Sequence, residues 1–127
     1  MLMIEVAPTS DRAAALQRLA PVARHAVGGA SVEDMAEGAE LLDVIEAGHV
    51  VGAVALDFTG NVATIKAAAS RGRATAAELE LIERAAEKAG AVMLGMFTRR
   101  GALVRALARR GYRIRSVELE KDLTHGR

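Results

Sequence analysis

Residues 71–76 read Arg-Gly-Arg-Ala-Thr-Ala, and they separate a strand-like run from the most regular helical pattern in the chain. The run before them, Val62–Ala69, is predicted to be a strand. In the run after them, Thr75–Ala89, apolar residues recur on one stripe, which consists of Leu79, Ile82, Ala86 and Ala89. The sequence therefore predicts a strand, a short glycine-containing loop and a helix in direct succession.

Two further strands are predicted immediately before this unit. Leu41–Glu46 and Val50–Phe58 are β-rich runs, and the glycine-containing segment Ala47–His49 between them favours a hairpin. A second turn, Thr59–Asn61, leads from there into Val62–Ala69. Because both connections are short, the three strands are expected to pair in antiparallel fashion.

The N-terminal part of the chain is predicted to hold one strand and two helices. Met1–Ala7 reads as a short strand that Pro8 ends. Thr9 or Ser10 is predicted to cap the first helix. Ser31 is predicted to begin a second, shorter helix with acidic residues in its first turn.

The C-terminal part is predicted to contain a strand, a helix and a last extended segment. Ala91–Phe97 is strongly apolar, which suits the middle of a sheet, and Ala102–Arg110 reads as a helix with Gly111 as its C-terminal cap. Tyr112–Leu123 is predicted to be extended. The complete order is β-α-α-β-β-β-α-β-α-β, an α/β (α+β) domain with a mixed, mainly antiparallel sheet flanked by helices.

Length and composition limit the possible classes of protein. A chain of 127 residues with 51% hydrophobic residues suits one domain, residues 1–127, with one core. The net charge of +1 gives no overall field of the kind that attracts nucleic acid or an anionic membrane. The absence of cysteine excludes disulfides and thiolate chemistry. The start lacks the pattern of a signal peptide, so a soluble, cytoplasmic protein is expected.

Three phrases, together with the order of elements, resemble the GNAT superfamily of N-acetyltransferases over nearly the whole chain. Glu46–Gly52 resembles the family's strand and turn followed by two hydrophobic residues and a glycine. Arg71–Ala76 stands where the family has its Gln/Arg-x-x-Gly-x-Gly/Ala loop. Ala102–Tyr112, which ends in Arg-Arg-Gly-Tyr, resembles the family's late helix and its closing Gly-Phe or Gly-Tyr.

The resemblance implies that acetyl-coenzyme A binds at the loop, through Arg71, Gly72, Arg73, Ala74, Thr75 and Ala76. Physical chemistry points the same way, because the first turn of a helix presents unpaired N–H groups from which a pyrophosphate can accept hydrogen bonds. Ala74 stands where the family has a glycine, and its Cβ opposes the close approach of a ligand. Arg71 and Arg73 favour the binding of a phosphate-bearing ligand, because they are cations beside the proposed anion site.

The same residues have a purely structural interpretation. Thr75-Ala76-Ala77-Glu78 reads as a capping box, in which the Glu78 carboxylate returns to the backbone of Thr75. That arrangement would use N–H groups of the loop and place a negative charge where a phosphate would bind. An ordinary capped helix with two solvated arginines is therefore the alternative to a cofactor site.

No catalytic acid or base is assigned from the sequence. The resemblance implies a proton-donating tyrosine four residues before Gly111, but Leu107 stands there and cannot donate a proton. Tyr112, the single tyrosine, occupies a packing position of the family, and nothing in the spacing supports Ser116. Candidate general bases are Glu46, His49 and Asp57, each of which also suits a solvated position. With His25 and His125 elsewhere, the histidines are too scattered to predict a metal site.

Seven arginines lie between Arg99 and Arg115, and no acidic residue lies between Lys88 and Glu118. Such a region can attract the phosphates of coenzyme A, an acidic partner or nucleic acid, and it is equally compatible with a solvated helix. An aromatic content of 2% disfavours nucleic-acid binding by stacking.

Two functions of different classes follow. The leading hypothesis is an acetyl-coenzyme A-dependent N-acetyltransferase that acts on an amine by proximity and backbone hydrogen bonding. The alternative is a catalytically inactive GNAT-like structural or interaction protein, such as a bacteriophage virion or accessory component. A protein that binds acyl-coenzyme A without turnover lies between them.

Overall fold

The computed structural model describes residues 3–25, 31–70, 75–97, 101–117, 119 and 121–124. The chain comprises two compact units, Met1–Phe97 and Thr98–Arg127. The expectation that residues 1–127 form one domain stays a prediction.

The first unit contains a five-stranded sheet whose strands lie side by side in sequence order. Neighbouring strands are antiparallel except for the last pair, β4 and β5, which is parallel. The strands are β1 (Ile4–Pro8), β2 (Glu40–Glu46), β3 (His49–Thr59), β4 (Val62–Ser70) and β5 (Met93–Met96). The predicted mixed, mainly antiparallel sheet is confirmed.

Turn chemistry explains the hairpin between β2 and β3. Ala47 and Gly48 both have positive φ, 50° and 84°. Two such residues form the tight turn whose twist matches that of antiparallel strands. His49 lies outside this turn as the first residue of β3, opposite Glu46, which corrects its predicted place within the turn.

Among the described residues, the first unit also contains three helices and a 3-10 segment, and the second unit contains one helix. They are α1 (Arg12–Leu19), the 3-10 segment Ala20–His25, α2 (Val32–Ala36), α3 (Thr75–Lys88) and, in the second unit, α4 (Gly101–Ala108). The cap of α1 is Asp11, not the predicted Thr9 or Ser10, because its side chain accepts a hydrogen bond from the N–H of Ala14. The predicted start of α2 at Ser31 is confirmed by a capping box with Asp34.

The sheet separates two apolar layers. Residues on one face of β2 and β3, such as Leu41 and Ala53, pack with α1 and α2. The alternate residues, such as Leu42 and Val54, face the layer that contains Ile82 of α3. This alternation follows from the two-residue period of a strand, and it places helices on both faces of the sheet.

The position of β5 differs from the prediction. Its four residues pair with β4 on one side, so within the described residues β5 is a strand at the end of the sheet rather than in its middle. Val92 and Phe97, which flank it, are 73% and 68% exposed. The apolar composition of Ala91–Phe97 was compatible with either place, since composition reports apolar character and not the number of paired neighbours.

In the second unit, α4 ends as predicted. Gly111 has a φ of +94°, and the N–H groups of Gly111 and Tyr112 donate to the carbonyls of Ala108 and Leu107 at 3.2 and 3.1 Å. This pair of bonds is the Schellman motif that a C-terminal glycine allows. The final predicted strand is absent from the described residues of the segment, which are 112–117, 119 and 121–124.

Candidate functional site

A β-bulge divides β4 into two halves. Leu56 of β3 pairs with Ile65, whereas Ala55 pairs with Ala67, so Lys66 is an extra residue on β4. Ile65 belongs to the layer with α3 and Ala67 to the layer with α1 and α2. The bulge leaves Lys66 exposed, and it bends the strand at the point where its pairing with β5 stops.

Beyond the bulge, β4 has an open edge. The pairing with β5 ends at Ile65 and Met96, but β4 continues to Ser70. Within the described residues, Ala67–Ala69 therefore has a strand partner only on the β3 side. The backbone N–H and C=O groups on its other side are positioned to pair with an extended ligand.

The predicted cofactor loop connects this open edge to α3. Arg71, Gly72, Arg73 and Ala74 lie outside the described residues. Thr75 is the first residue of α3, and Ala76 is exposed in its first turn. The first-turn N–H groups of a helix have no partner within the helix, so the described structure places such donors from Thr75 onward, five residues after β4 ends at Ser70.

One buried acidic side chain connects the end of β4 to α3. Glu78 is 8% exposed and is the single buried charged residue of the described chain. Its Oε1 atom accepts a hydrogen bond from the hydroxyl of Ser70 at 2.8 Å. Since α3 begins at Thr75, Glu78 is its fourth helical residue, one position too late for the predicted capping box, which requires the third.

Gly52 allows β3 to approach the end of β4 closely. It pairs with Ser70, and a Cβ atom at Gly52 would lie 2.2 Å from the carbonyl oxygen of Ala69 and 2.8 Å from the Cα of Ser70. No side chain fits there. The glycine of the phrase Glu46–Gly52 is therefore required by contact between two backbones beside the open edge.

The candidate general bases do not form a group. His49 and Glu46 face each other at one end of β3, and Asp57 lies eight residues along the strand. At the rise of a β-strand this separation is about 27 Å. The Asp57 carboxylate accepts a hydrogen bond from the hydroxyl of Thr59 at 3.3 Å.

The remaining polar candidates add no catalytic group. The side chains of His25 and His125 lie outside the described part of the chain, and its other residues contain no cluster that could hold a metal ion. Leu107 is buried and Tyr112 is half-buried. The position where the family resemblance places a proton donor is thus an apolar side chain removed from solvent.

The predicted basic region is partly described. Arg105, Arg109, Arg113 and Arg115 are exposed, whereas Arg99 and Arg100 lie outside the described residues. Arginine presents a planar fork of donors that matches carboxylates and phosphates. The binding of phosphates or of an acidic partner by this region stays a prediction.

A groove of about 460 Å³ lies elsewhere, between α3 and the strands β1 and β2. Its apolar lining includes Val6 and Leu81, and its charged lining includes Glu40, Arg84 and Lys88. The α3 residues of the groove begin at Leu81, the seventh residue of the helix. The groove is thus distinct from the first turn of α3 and from the open edge of β4.

The sequence did not reveal the bulge at Lys66 or the hydrogen bond between Ser70 and Glu78. Side-chain alternation is the signal that locates a bulge, and the three alanines that follow Lys66 carry almost no such signal. A hydrogen bond between a strand end and a helix depends on how the two elements pack, which local patterns do not report.

Comparisons with known proteins identify the fold. No family model and no curated protein matches the chain. The structure resembles the crystal structure of a possible acetyltransferase from Clostridium difficile 630, with 13% identity, a TM-score of 0.63 and coverage of 98% of this chain and 99% of that one. It also resembles a transcriptional regulator from Bacillus halodurans C-125, with 18% identity, a TM-score of 0.62 and coverage of 95% and 100%.

A third similar structure contains ligands. It is N-acetylglutamate synthase from Neisseria gonorrhoeae, complexed with coenzyme A and N-acetyl-glutamate. The identity is 17% and the TM-score 0.59, and the match covers 85% of this chain and 28% of that one.

Across the described residues, no helix has the length and apolar character needed to cross a membrane.

Proposed function

We propose that this chain, which has the fold of the GNAT acetyltransferases, binds an acyl-coenzyme A and transfers its acyl group to an amine. One observation carries the proposal. The open edge of β4, residues Ala67–Ala69, is followed six residues later by the first turn of α3.

The donors and acceptors of this arrangement suit coenzyme A. The pantetheine arm contains amide groups, which can pair with the backbone of Ala67–Ala69 as an added strand would. The pyrophosphate can accept hydrogen bonds from N–H groups at the start of α3, where the helix dipole is positive. Arg71 and Arg73 would add positive charge at this end, and Lys66 lies exposed at the other end of the edge.

The reaction would depend mainly on positioning. The amine nitrogen attacks the thioester carbon, a C–N bond forms, the C–S bond breaks, and the proton of the nitrogen passes to water. Thiols have a pKa near 8.5, so a thiolate is a tolerable leaving group without a matched acid. General acid catalysis typically contributes about 10²–10⁴-fold, so Leu107 predicts slow turnover rather than none.

Calorimetric titration with acetyl-coenzyme A tests the proposal. We expect saturable binding in the micromolar range, which the double substitution R71E/R73E abolishes. The matched control is K88E, which changes charge at the far end of the same helix and should leave binding intact. Absence of binding at millimolar acetyl-coenzyme A would overturn the proposal.

Binding without turnover is the second candidate, because the candidate bases Glu46, His49 and Asp57 do not form a group. Release of free thiol during incubation with acetyl-coenzyme A and a panel of primary amines distinguishes the two. Saturable binding with thiol release supports the transferase, and saturable binding without it supports an acyl-coenzyme A-binding protein. The comparisons give no support to a bacteriophage component.

A further inference from the structure

We infer that the groove between α3 and the strands β1 and β2 binds a free amino acid with a large apolar side chain, such as leucine. The groove lies within residues 1–97 and shares no residue with the open edge of β4 or with the first turn of α3. The inference is therefore independent of the proposed function and goes beyond it. Its basis is the apolar lining of the groove and a pair of opposite charges at one end.

Strand residues that face α3 form the apolar floor of the groove. Val6 lies opposite Val44, and Pro8 lies opposite Leu42, so these side chains share the face of the sheet that α3 covers. Leu42 is buried, whereas Val6 is half-buried and Pro8 is exposed. The cover that α3 provides is therefore incomplete toward β1, the strand at the end of the sheet. Apolar surface stays accessible to a ligand there.

One face of α3 forms the opposite wall. Leu81, Ala85 and Ala89 line the groove and recur at intervals of four residues, as residues on one side of a helix do. The small side chains of Ala85 and Ala89 leave space between the helix and the strands. The volume of about 460 Å³ lies in the range of small-molecule sites, about 300–1,000 Å³. The groove therefore has room for an aliphatic side chain against apolar walls.

Two charged residues of the lining lie at the same end of the groove. Glu40 begins β2 and shares the α3 face with Leu42, because residues two apart in a strand point to the same side. Since β2 and β4 are both antiparallel to β3, they run in the same direction. The helix α3 returns the chain from the end of β4 to the start of β5, which pairs with the start of β4. Lys88, the last residue of α3, therefore lies at the end of the sheet where Glu40 lies.

These two charges do not pair with each other. Both side chains are exposed, and among the described residues neither Glu40 nor Lys88 forms an ion pair. The third charged residue of the lining, Arg84, donates a hydrogen bond to Glu80 at 2.6 Å and is thereby engaged. A carboxylate and an ammonium group that line one groove without contacting each other offer a ligand one acceptor and one donor.

A free amino acid complements both charges. Its ammonium group would donate to the Glu40 carboxylate, and its carboxylate would accept from the Lys88 ammonium. Both groups are attached to one carbon atom, so they bind at one end of the groove while the side chain lies along the apolar part toward Val6 and Leu81. A fatty acid would leave Glu40 without a cation, and an aliphatic amine would leave Lys88 without an anion. A peptide separates its terminal charges, which does not suit two charges at one end.

Titrations of the isotope-labelled full chain followed by NMR test the inference, because they detect binding in the millimolar range. The ligand is leucine. Leucinamide lacks the carboxylate, N-acetyl-leucine lacks the ammonium group, and glycine lacks the apolar side chain. The variants are E40Q and K88Q, and the control is E87Q, which removes an exposed charge of the same helix outside the groove. Thermal unfolding of each variant establishes that the titrations are made on folded protein.

The expected results depend on both the ligand and the variant. Leucine should bind saturably with a dissociation constant of about 1 mM or below, with shifts at the amides of Val6 and Ala85, and the other three ligands should bind more weakly. E40Q and K88Q should each weaken the binding of leucine roughly threefold to tenfold, whereas E87Q should match the wild type. K88Q should not weaken leucinamide, and E40Q should not weaken N-acetyl-leucine, because each ligand already lacks the group that the substitution affects.

Other outcomes would overturn the inference. Leucine that shows no saturable binding at about ten times the expected dissociation constant does not occupy the groove. If leucinamide or N-acetyl-leucine binds as tightly as leucine, or if E40Q and K88Q match E87Q, the two charges do not recognise the ligand. Tighter binding of leucyl-leucine than of leucine would make the groove a peptide site. A lack of acetyl-coenzyme A binding would overturn the proposed function alone, since the two sites share no residue.

Discussion

At the scale of single residues, Asp43 has a carboxylate oxygen in an unfavourable, buried position. Asp43 lies in β2 between Ala7 of β1 and Ala53 of β3, on the face covered by α1 and α2. Its Oδ1 atom is buried and has no hydrogen-bond partner among the residues that the structure describes. A buried acceptor without a partner keeps the cost of its lost hydration.

Replacing this carboxylate should stabilise the protein. We expect D43V to raise the free energy of unfolding by about 1–2 kcal/mol, because it removes the unsatisfied atom and adds a residue that favours strands. Urea unfolding with an unchanged m-value measures the difference. The comparison variant is D57V, which removes a carboxylate that does accept a hydrogen bond and should not stabilise. A lower stability of D43V would show that Asp43 has a partner that compensates its burial.

At the scale of elements, the site depends on how closely β3 and β4 approach each other. Gly52 faces Ser70 with no space for a Cβ atom, whereas Gly95 of β5 has nothing within 4 Å of the place a Cβ would occupy. Both glycines lie in strands, and neither has a positive φ. They form a matched pair that differs in steric room.

Alanine at the two positions should therefore have different effects. G52A forces backbone against backbone and should lower the free energy of unfolding by about 1–3 kcal/mol, while G95A should be neutral or slightly stabilising. G52A should also weaken acetyl-coenzyme A binding, since it displaces Ser70. Equal unfolding midpoints for the two variants in urea would contradict the close approach.

Element prediction from the sequence succeeded where the signal was local. Three correct predictions depend on the backbone conformation and periodicity of a few adjacent residues. They are the turn before His49, the helix from Thr75 and the C-terminal cap at Gly111. The place of β5 and the bulge at Lys66 depend on pairing between distant segments, and three consecutive alanines hide the bulge. The prediction that Arg71–Ala76 binds a cofactor stays untested. Glu78 does not occupy the third helical position that the predicted capping box needs, because α3 already begins at Thr75.

At the scale of the whole molecule, a net charge of +1 conceals a strong separation of charge. Residues 1–97 contain 8 basic and 13 acidic residues, whereas residues 98–127 contain 9 basic and 3 acidic ones. The first unit is thus negative by 5 and the second positive by 6. An anionic ligand is attracted by the second unit from a distance that depends on ionic strength.

This separation predicts that the basic unit accelerates the capture of anions. The substitutions R113E/R115E reverse two exposed arginines and change the net charge from +1 to −3. The association rate of acetyl-coenzyme A, measured by stopped-flow, should fall severalfold at low salt, and the difference should disappear at high salt because the Debye length shrinks from about 30 Å at 0.01 M to about 3 Å at 1 M. An acidic peptide should respond in the same way, since steering depends on charge rather than shape.

The control, R12E/R18E, makes the same change of net charge within residues 1–97. Equal rates for the two double variants at low salt would mean that net charge, and not its location in the second unit, determines capture.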